Sequence, residues 1–130
     1  SFNLSHKCKI IGNLYRDDLK ILYYLSSIII SFPLQAEGFG RTISEALIMK
    51  KKVLAFNYGG VKDQLYKLDD IYKVDPHNYN EIDIKLQNII KLDDEEFSNI
   101  SLNSKDYISK TFSRYQMVQS YVDLYEQQSI

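Results

Sequence analysis

The sequence predicts an α/β fold in which helices cover both faces of a doubly wound parallel sheet. Short runs rich in β-branched residues alternate with segments of helical periodicity, and the connections between them are short. The run Ile28-Ile29-Ile30 lacks the alternation of apolar and polar residues typical of a half-exposed strand. A strand buried on both faces gives this pattern, and right-handed crossovers then place helices on both sides of the sheet.

The individual elements follow from hydrophobic periodicity. The predicted strands are residues 9–11, 27–32, 52–57 and 71–74. The predicted helices are residues 16–25, 42–50, 61–68, 80–92, 93–110 and 114–127. We interpret the apolar stripes of these helices, including the one in residues 114–127, as core faces. The last three helices have no strand between them, so we expect them to pack over the sheet as a C-terminal cap.

Composition limits the classes of partner and cofactor. A chain of 130 residues is expected to form one domain. Its net charge of −1 gives no global positive field, so we expect no nucleic acid partner. No apolar stretch approaches the length of a membrane span. Because His6, Cys8 and His77 are scattered, no metal site is predicted. Cys8 adjoins an apolar run and is expected to be a buried thiol.

The chemically informative residues follow the second predicted strand, because ligands of open α/β sheets bind beyond the carboxyl ends of the strands. Three loops leave strand ends, at residues 33–41, 58–60 and 75–78. In the first, Gly38 and Gly40 bracket Phe39 and permit tight turns and close approach of a ligand. The following helix is expected to start near Thr42, where free amides and the positive end of the helix dipole favour a diphosphate.

Two carboxylates flank this predicted helix start. Glu37 precedes the glycines and Glu45 lies in the first turns of the helix, with seven residues between them. Carboxylates accept hydrogen bonds from sugar hydroxyls, and a nucleoside diphosphate sugar presents ribose, diphosphate and hexose in that order. An alternative remains open, because residues 42–45 match a capping box in which Glu45 only satisfies the helix start. The glycines would then be simple turn residues.

Residues 37–46, Glu-Gly-Phe-Gly-Arg-Thr-Ile-Ser-Glu-Ala, resemble the Glu–seven–Glu signature of glycosyltransferase family 4 and its GT-B relatives. Further stretches resemble the family in the same order along the chain. They are Gly12 after a strand-like run, residues 53–60 with a diglycine turn, residues 74–76, and the final helix. The resemblance covers nearly the whole chain. It implies the Rossmann-like C-terminal half of a two-domain GT-B enzyme.

The resemblance implies a retaining group 1 glycosyl transferase of hexosyltransferase type. Such an enzyme moves a sugar from a UDP- or GDP-sugar to a glycan, lipid or small-molecule acceptor, as in the synthesis of cell envelope polysaccharide, without a metal or other cofactor. Residues 1–130 would be the donor-binding domain, lacking the N-terminal acceptor domain and the start of the donor domain. We therefore expect the chain alone to be inactive. The implied location is the cytoplasm, and the oligomeric state stays open.

The resemblance also assigns roles to residues. Glu37 would be the catalytic candidate in contact with the donor sugar, and Glu45 would bind the ribose hydroxyls. Arg41 either adds charge near the phosphates or lies in solvent. The implied donor-binding set is Glu37, Gly38, Phe39, Gly40, Arg41, Thr42, Ile43, Glu45, Gly59 and Gly60. No protein nucleophile is expected, because stabilising the leaving diphosphate would be the main catalytic effect.

Two departures from the family pattern keep other functions open. Lys50 and Lys52 stand where Gly and Pro are usual, and the loss of a Gly at a helix end is expected to change that turn. The lysine run 50–52 is either solvated or a peripheral contact to anionic headgroups on the inner face of a membrane. The alternatives are a degenerate, non-catalytic GT-B module that serves as a scaffold or partner surface, and a fragment of a GT-B sugar-nucleotide epimerase.

Overall fold

The computed structural model of the chain describes residues 6–76 and 78–127. Its elements alternate between helix and strand up to the third strand and are helical beyond it. In order they are α1 Arg16–Leu25, β1 Ile28–Ser31, α2 Arg41–Ile48, β2 Lys52–Phe56, α3 Gly59–Leu65, a 3-10 turn Asp70–Tyr72, β3 Lys73–Val74, α4 Glu81–Lys91, α5 Asp94–Thr111 and α6 Arg114–Gln127.

Within the described residues, the three strands form a parallel sheet in the order β1-β2-β3. Ile29 pairs with Val53 across β1 and β2, and Ala55 pairs with Lys73 across β2 and β3. The central strand β2 is buried from Val53 through Phe56, as in a strand covered on both faces. The burial predicted for Ile28-Ile29-Ile30 is wrong, because β1 is an edge strand of the described sheet and Ile30 is 46% exposed. The predicted α/β fold with a parallel sheet is confirmed.

The core lies around β2 and the helices that pack on it. Ile43, Ala46 and Leu47 of α2 face the sheet, and α5 packs in turn on α2 through residues that include the buried Ile108. Val61 and Leu65 of α3 complete this layer. The arrangement fixes α2 between the sheet and α5, and its N-terminal end therefore stays in one place relative to the loop that precedes it.

Several sequence predictions are wrong. Residues 9–11 form no strand, and Ile10 is 98% exposed; a run of three residues forms a strand only where a neighbouring strand pairs with it, and none does within the described chain. Residues 71–72 belong to a 3-10 turn, because the Asp69 carboxylate accepts a hydrogen bond from the Ile71 amide at 3.1 Å. Cys8 is exposed. His77 lies outside the described residues.

The apolar stripe of residues 114–127 was also predicted to be buried, and this prediction is wrong as well. Helix α6 contains no buried residue, and Tyr115 and Tyr125 are among its most exposed side chains. The physical reason is the position of α5. Helix α5 packs mainly on α2 and not on the sheet, and α6 follows α5 without extensive contact to any other element, so its stripe has no surface to pack on within the described residues.

The turn after α2 keeps the left-handed conformation that was expected to change. Lys50 adopts φ 54, its amide donates to Leu47 O at 3.0 Å, and the Lys51 amide donates to Ala46 O at 2.9 Å. This pair of bonds is a Schellman motif, which usually has Gly at the left-handed position. The expectation of a different turn is therefore wrong, and Lys50 occupies a conformation that costs roughly 1–2 kcal/mol in a non-glycine residue.

The neighbouring lysines each contact the C-terminal end of a helix. Lys51 Nζ donates to Tyr24 O near the end of α1 at 2.5 Å, and Lys52 Nζ donates to Leu92 O, just after α4, at 3.3 Å. Positive charge is favourable at helix C-termini. Two of the three lysines considered for a membrane contact are thus engaged within the fold. In the described part of the chain, no helix combines the length and the apolar character that crossing a membrane requires.

Candidate functional site

The loop that joins β1 to α2, here called the glycine loop (residues 33–40), ends in a left-handed residue. Gly40 is the N-cap of α2 with φ 77 and ψ 60. A Cβ at this position would overlap Val61 Cγ2, so only glycine fits both the backbone angle and the space. Helix α2 begins at Arg41, one residue before the predicted start at Thr42.

The diglycine turn at the start of α3 packs directly against the glycine loop. The Gly60 amide donates to Glu37 O at 3.0 Å. A Cβ at Gly60 would overlap Gly38 O and lie 2.6 Å from Phe39 Cα, and one at Gly59 would lie 2.6 Å from Glu37 O. Both glycines are thus needed for backbone-to-backbone packing. Gly59 and Gly60 therefore allow α3 to hold the glycine loop closely.

Gly38 differs from the other glycines of the site. A Cβ at Gly38 would meet no atom within 4 Å, and Gly38 is absent from the residues with positive φ. Neither packing nor backbone conformation within the described chain therefore requires glycine there. A glycine that faces open space beside a helix start is typical of a position where a ligand approaches the backbone closely.

Gln64 of α3 is hydrogen-bonded to the glycine loop. Its side chain is fully buried, and its Nε2 donates to Phe39 O and, at 3.3 Å, to Gly40 O. The sequence reasoning passed over this residue. A signal was present, because Gln64 falls on the same helical stripe as Val61, Leu65 and Leu68, which are all buried. A polar residue on a core face requires a specific partner.

Glu45 is held from two sides on the surface of α2. Tyr23 Oη of α1 donates to Glu45 Oε2 at 3.1 Å, and Arg41 Nη2 donates to Glu45 Oε1 at 3.3 Å. Burial raises the pKa of the Tyr23 hydroxyl, and the hydrogen bond to Glu45 raises this pKa further. Tyr23 therefore stays a neutral hydrogen-bond donor at neutral pH. The sequence does not single out Tyr23, because this residue lies in the predicted helix 16–25, whose apolar stripe is interpreted as a core face.

The capping-box interpretation of Glu45 is wrong. The N-cap residue of α2 is Gly40, and no side chain makes a cap hydrogen bond at this helix start. The box would require Thr42 to be the N-cap, two residues further along the chain. Because the carboxylate of Glu45 turns to Tyr23 and Arg41, its hydrogen bonds do not serve the helix amides.

The carboxylate of Glu45 borders two open cavities between α1 and α2. One has a volume of about 520 Å³ and includes Ile29 and Thr42 in its lining. The other has a volume of about 450 Å³ and includes Leu14 and Met49. Residues common to both are Leu19, Tyr23, Arg41 and Glu45. The site therefore combines apolar walls with one fixed carboxylate, a combination typical of small-molecule sites.

The amides at the start of α2 divide into two groups. Those of Ile43 and Ser44 donate to Gly40 O at 3.1 and 3.5 Å, and the Ile43 side chain is fully buried in the core. The amides of Arg41 and Thr42 come earlier in the first turn, where a helix has no carbonyl of its own to offer. A ligand anion at this end would therefore meet the Arg41 and Thr42 amides, and Ile43 contributes packing.

Glu37 and Phe39 are exposed residues of the glycine loop. The Glu37 side chain is exposed, and its Oε2 is 3.5 Å from the position that a Cβ at Gly40 would take. The ring of Phe39 packs edge-on against Phe112, with centroids 5.5 Å apart. Phe39 also borders a cavity of about 620 Å³ that α6 lines on its other side.

The structure thus brings most of the predicted site residues together. Glu37, Gly38, Phe39, Gly40, Gly59 and Gly60 meet at the glycine loop, and Arg41, Thr42 and Glu45 lie on the adjoining first turns of α2. Their binding of a donor stays a prediction. Among residues 6–76 and 78–127, no group of three or more His, Cys, Asp or Glu side chains is placed to hold a metal ion.

Comparison with known families decides the class of protein. The family model for glycosyl transferases of group 1 matches residues 1–106. The chain belongs to this family. The comparison with curated proteins gives no match.

The matched range contains every residue of the predicted site. It runs from before α1 into α5 and includes the glycine loop, the start of α2 and the diglycine turn, whereas α6 lies beyond it. Family membership supports transfer of a glycosyl group as the activity. Because one fold hosts many functions, the substrates depend on the residues of the glycine loop and of α2.

Proposed function

We propose that this group 1 glycosyl transferase chain is a donor-binding domain that takes a sugar, with retention, from a nucleoside diphosphate sugar. The observation that carries the proposal is the position of Glu45. Its carboxylate lies in the first turns of α2, is fixed by Tyr23 and Arg41, and borders open cavities. A carboxylate held in this way accepts hydrogen bonds from the adjacent hydroxyls of a ribose.

The other groups of the site fit the remaining parts of such a donor. The Arg41 and Thr42 amides and the positive end of α2 would bind the diphosphate. Glu37, within the glycine loop, would bind hydroxyls of the transferred sugar. The same amides would stabilise the charge that develops on the diphosphate as the sugar–phosphate bond breaks. An acceptor glycan, lipid or small molecule would be bound by a second domain and would supply the attacking hydroxyl.

The proposal is tested by titrating the chain with UDP, GDP and their sugar conjugates, by calorimetry or by NMR. We expect one of the two nucleotide classes to bind. Glu45→Gln is expected to weaken this binding about tenfold, because a hydrogen bond to a charged group contributes about 1.5–3 kcal/mol. The melting temperature should stay unchanged, since Glu45 caps no helix amide.

Glu95→Gln is the matched control. Glu95 is an exposed carboxylate in the first turn of α5, far along the chain from the glycine loop. Equal binding by wild type and both variants would show that the nucleotide does not use Glu45. No binding of either nucleotide class, with the fold intact, would refute the donor-site proposal.

A partner-surface function is favoured by one separate observation. Helix α6 exposes apolar side chains along its length, among them Tyr115, Tyr121 and Tyr125, and such surfaces mark interaction sites. A degenerate module with only this function would bind no nucleotide even when it is joined to an acceptor domain. An epimerase fragment would bind the nucleotide, yet the completed enzyme would invert the donor sugar without transferring it.

A further inference from the structure

Gln64 makes a different kind of hydrogen bond from the other buried polar side chains of the described chain. The remaining members of that group are three serines, Ser44, Ser101 and Ser104. Each serine hydroxyl donates to a carbonyl of its own helix. Gln64 instead donates out of α3 to the glycine loop, at Phe39 O and Gly40 O. Its bonds therefore join two separate parts of the site.

The orientation of the Gln64 amide follows from the chemistry of its partners. Backbone carbonyls only accept hydrogen bonds, so the NH2 group has to face Phe39 O and Gly40 O. The Oε1 atom then points away, and within the described residues it is buried without a hydrogen-bond partner. A buried acceptor left unpaired costs about 1–3 kcal/mol. An apolar side chain would avoid this cost. The advantage of glutamine at position 64 therefore has to come from its two Nε2 hydrogen bonds.

The bond to Phe39 O fixes the direction of the Gly40 amide. In a planar trans peptide the N–H points opposite to the preceding C=O. Because Phe39 O turns toward Gln64, the N–H group of Gly40 points away from the Gln64 side chain. Gly40 O also accepts from the Ile43 and Ser44 amides of α2, so the helix itself sets the direction of the Arg41 amide.

We infer that Gln64 is a positioning residue that orients the Gly40 amide toward the diphosphate of the donor. The inference rests on the proposed function, since it concerns the same site. A preorganised amide binds an anion without the cost of ordering the loop at the moment of binding. Without Gln64, the peptide plane after Phe39 would be free to rotate, and the anion would bind more weakly.

Gln64→Met tests the inference, because methionine has a similar length and no polar amide, and it adapts to core packing. UDP and GDP are the probes. We expect the affinity of the nucleotide that binds to fall about tenfold. The backbone amide resonance of Gly40 should shift and its hydrogen exchange should accelerate. Ser104→Ala is the control, since it removes a buried hydrogen bond within α5 and should change neither quantity.

The wild type provides a second measurement that does not depend on the folding of a variant. The side-chain amide protons of Gln64 should exchange slowly and their resonances should move when the nucleotide is added. Rapid exchange of these protons would overturn the inference. So would a folded Gln64→Met chain with wild-type affinity and an unchanged Gly40 resonance.

Failure of the proposed function has a different signature. In that case the wild type binds neither UDP nor GDP, and the loss is already present before any substitution. A loosened Gly40 amide in Gln64→Met would then still support Gln64 as the residue that orders the glycine loop. An unchanged Gly40 amide would overturn that structural part as well.

Discussion

Tyr23 Oη donates a hydrogen bond of 3.1 Å to Glu45 Oε2 and so links α1 to the first turns of α2. The Tyr23 side chain is buried, which leaves it little freedom to turn elsewhere. Glu45 Oε1 also accepts a hydrogen bond from Arg41 of the same helix. Arg41 is an exposed partner, so Tyr23 is the fixed donor that orients the carboxylate before any ligand arrives.

Tyr23→Phe is therefore expected to weaken nucleotide binding while the fold is retained. Phenylalanine preserves the packing of the ring and removes only the hydroxyl. Loss of one hydrogen bond that orients a carboxylate is worth about 1 kcal/mol, or about fivefold in affinity. Calorimetric titration with UDP and GDP measures the effect. Tyr24→Phe is the control, because Tyr24 is 74% exposed; the idea fails if both variants bind as the wild type does.

Gly38→Ala and Gly60→Ala should separate binding from folding. The Cβ at Gly60 would collide with the backbone of Gly38 and Phe39, and overpacking against backbone costs about 1–3 kcal/mol. The Cβ at Gly38 meets open space, so this variant should melt with the wild type. It should nevertheless bind nucleotide more weakly, because a methyl group would occupy the approach to the loop. Thermal unfolding and titration of both variants check the pair.

Equal affinity of Gly38→Ala and wild type would place the ligand away from this part of the loop. A Gly60→Ala chain as stable as the wild type would contradict the close packing of α3 on the glycine loop. Both substitutions add one methyl group, so a difference between the two variants in stability or affinity reflects the surroundings of that methyl group.

The glycine loop could be predicted from the sequence, because the residues that define it lie close together along the chain. Gly40 is required by a left-handed N-cap next to α3, and Glu37 and Glu45 lie at a fixed spacing around it. The partners of these residues were not predictable in the same way. Gln64 reaches Phe39 across 25 residues and Tyr23 reaches Glu45 across 22. Such contacts depend on how helices pack, which periodicity alone leaves open.

The errors at residues 9–11 and in α6 have a related physical cause. An apolar run or stripe shows that a segment is able to be buried, but burial also requires a free surface to pack on. Within the described residues, Ile10 has no neighbouring strand and α6 makes no extensive contact with another element. Within the described chain both stay exposed despite their composition.

Lys50→Gly is expected to stabilise the chain by about 1 kcal/mol. Lys50 occupies the left-handed position of the Schellman motif with φ 54, where a Cβ costs roughly 1–2 kcal/mol, and the greater freedom of glycine in the unfolded chain offsets part of the gain. Urea unfolding measures the change. Lys50→Ala serves as the control, since it removes the charge and keeps the Cβ. A gain shared by both variants would assign the effect to charge and not to backbone strain.

Tyr72→Phe should remove part of the loss of stability at alkaline pH. Tyr72 is 2% exposed, and its hydroxyl has no hydrogen-bond partner within the described residues. Burial, with smaller contributions from Asp69 and Glu96, raises the pKa of Tyr72 from 10.0 to about 12. A pKa raised in the folded state gives stability that is complete below pH 10 and is lost as the pH rises toward 12.

The size of this loss is about 3 kcal/mol for Tyr72 alone, from the difference between the two pKa values. Burial also raises the pKa of Tyr23 and of Tyr107, so the wild type loses additional stability in the same range, and the difference between wild type and Tyr72→Phe isolates Tyr72. At pH 7 the variant should be more stable by about 1 kcal/mol, because it buries no unpaired hydroxyl. Urea unfolding at intervals from pH 7 to the alkaline limit measures both effects. Parallel curves for the two proteins would mean that Tyr72 ionises as easily folded as unfolded, and its hydroxyl would then have to reach water or a partner in solution.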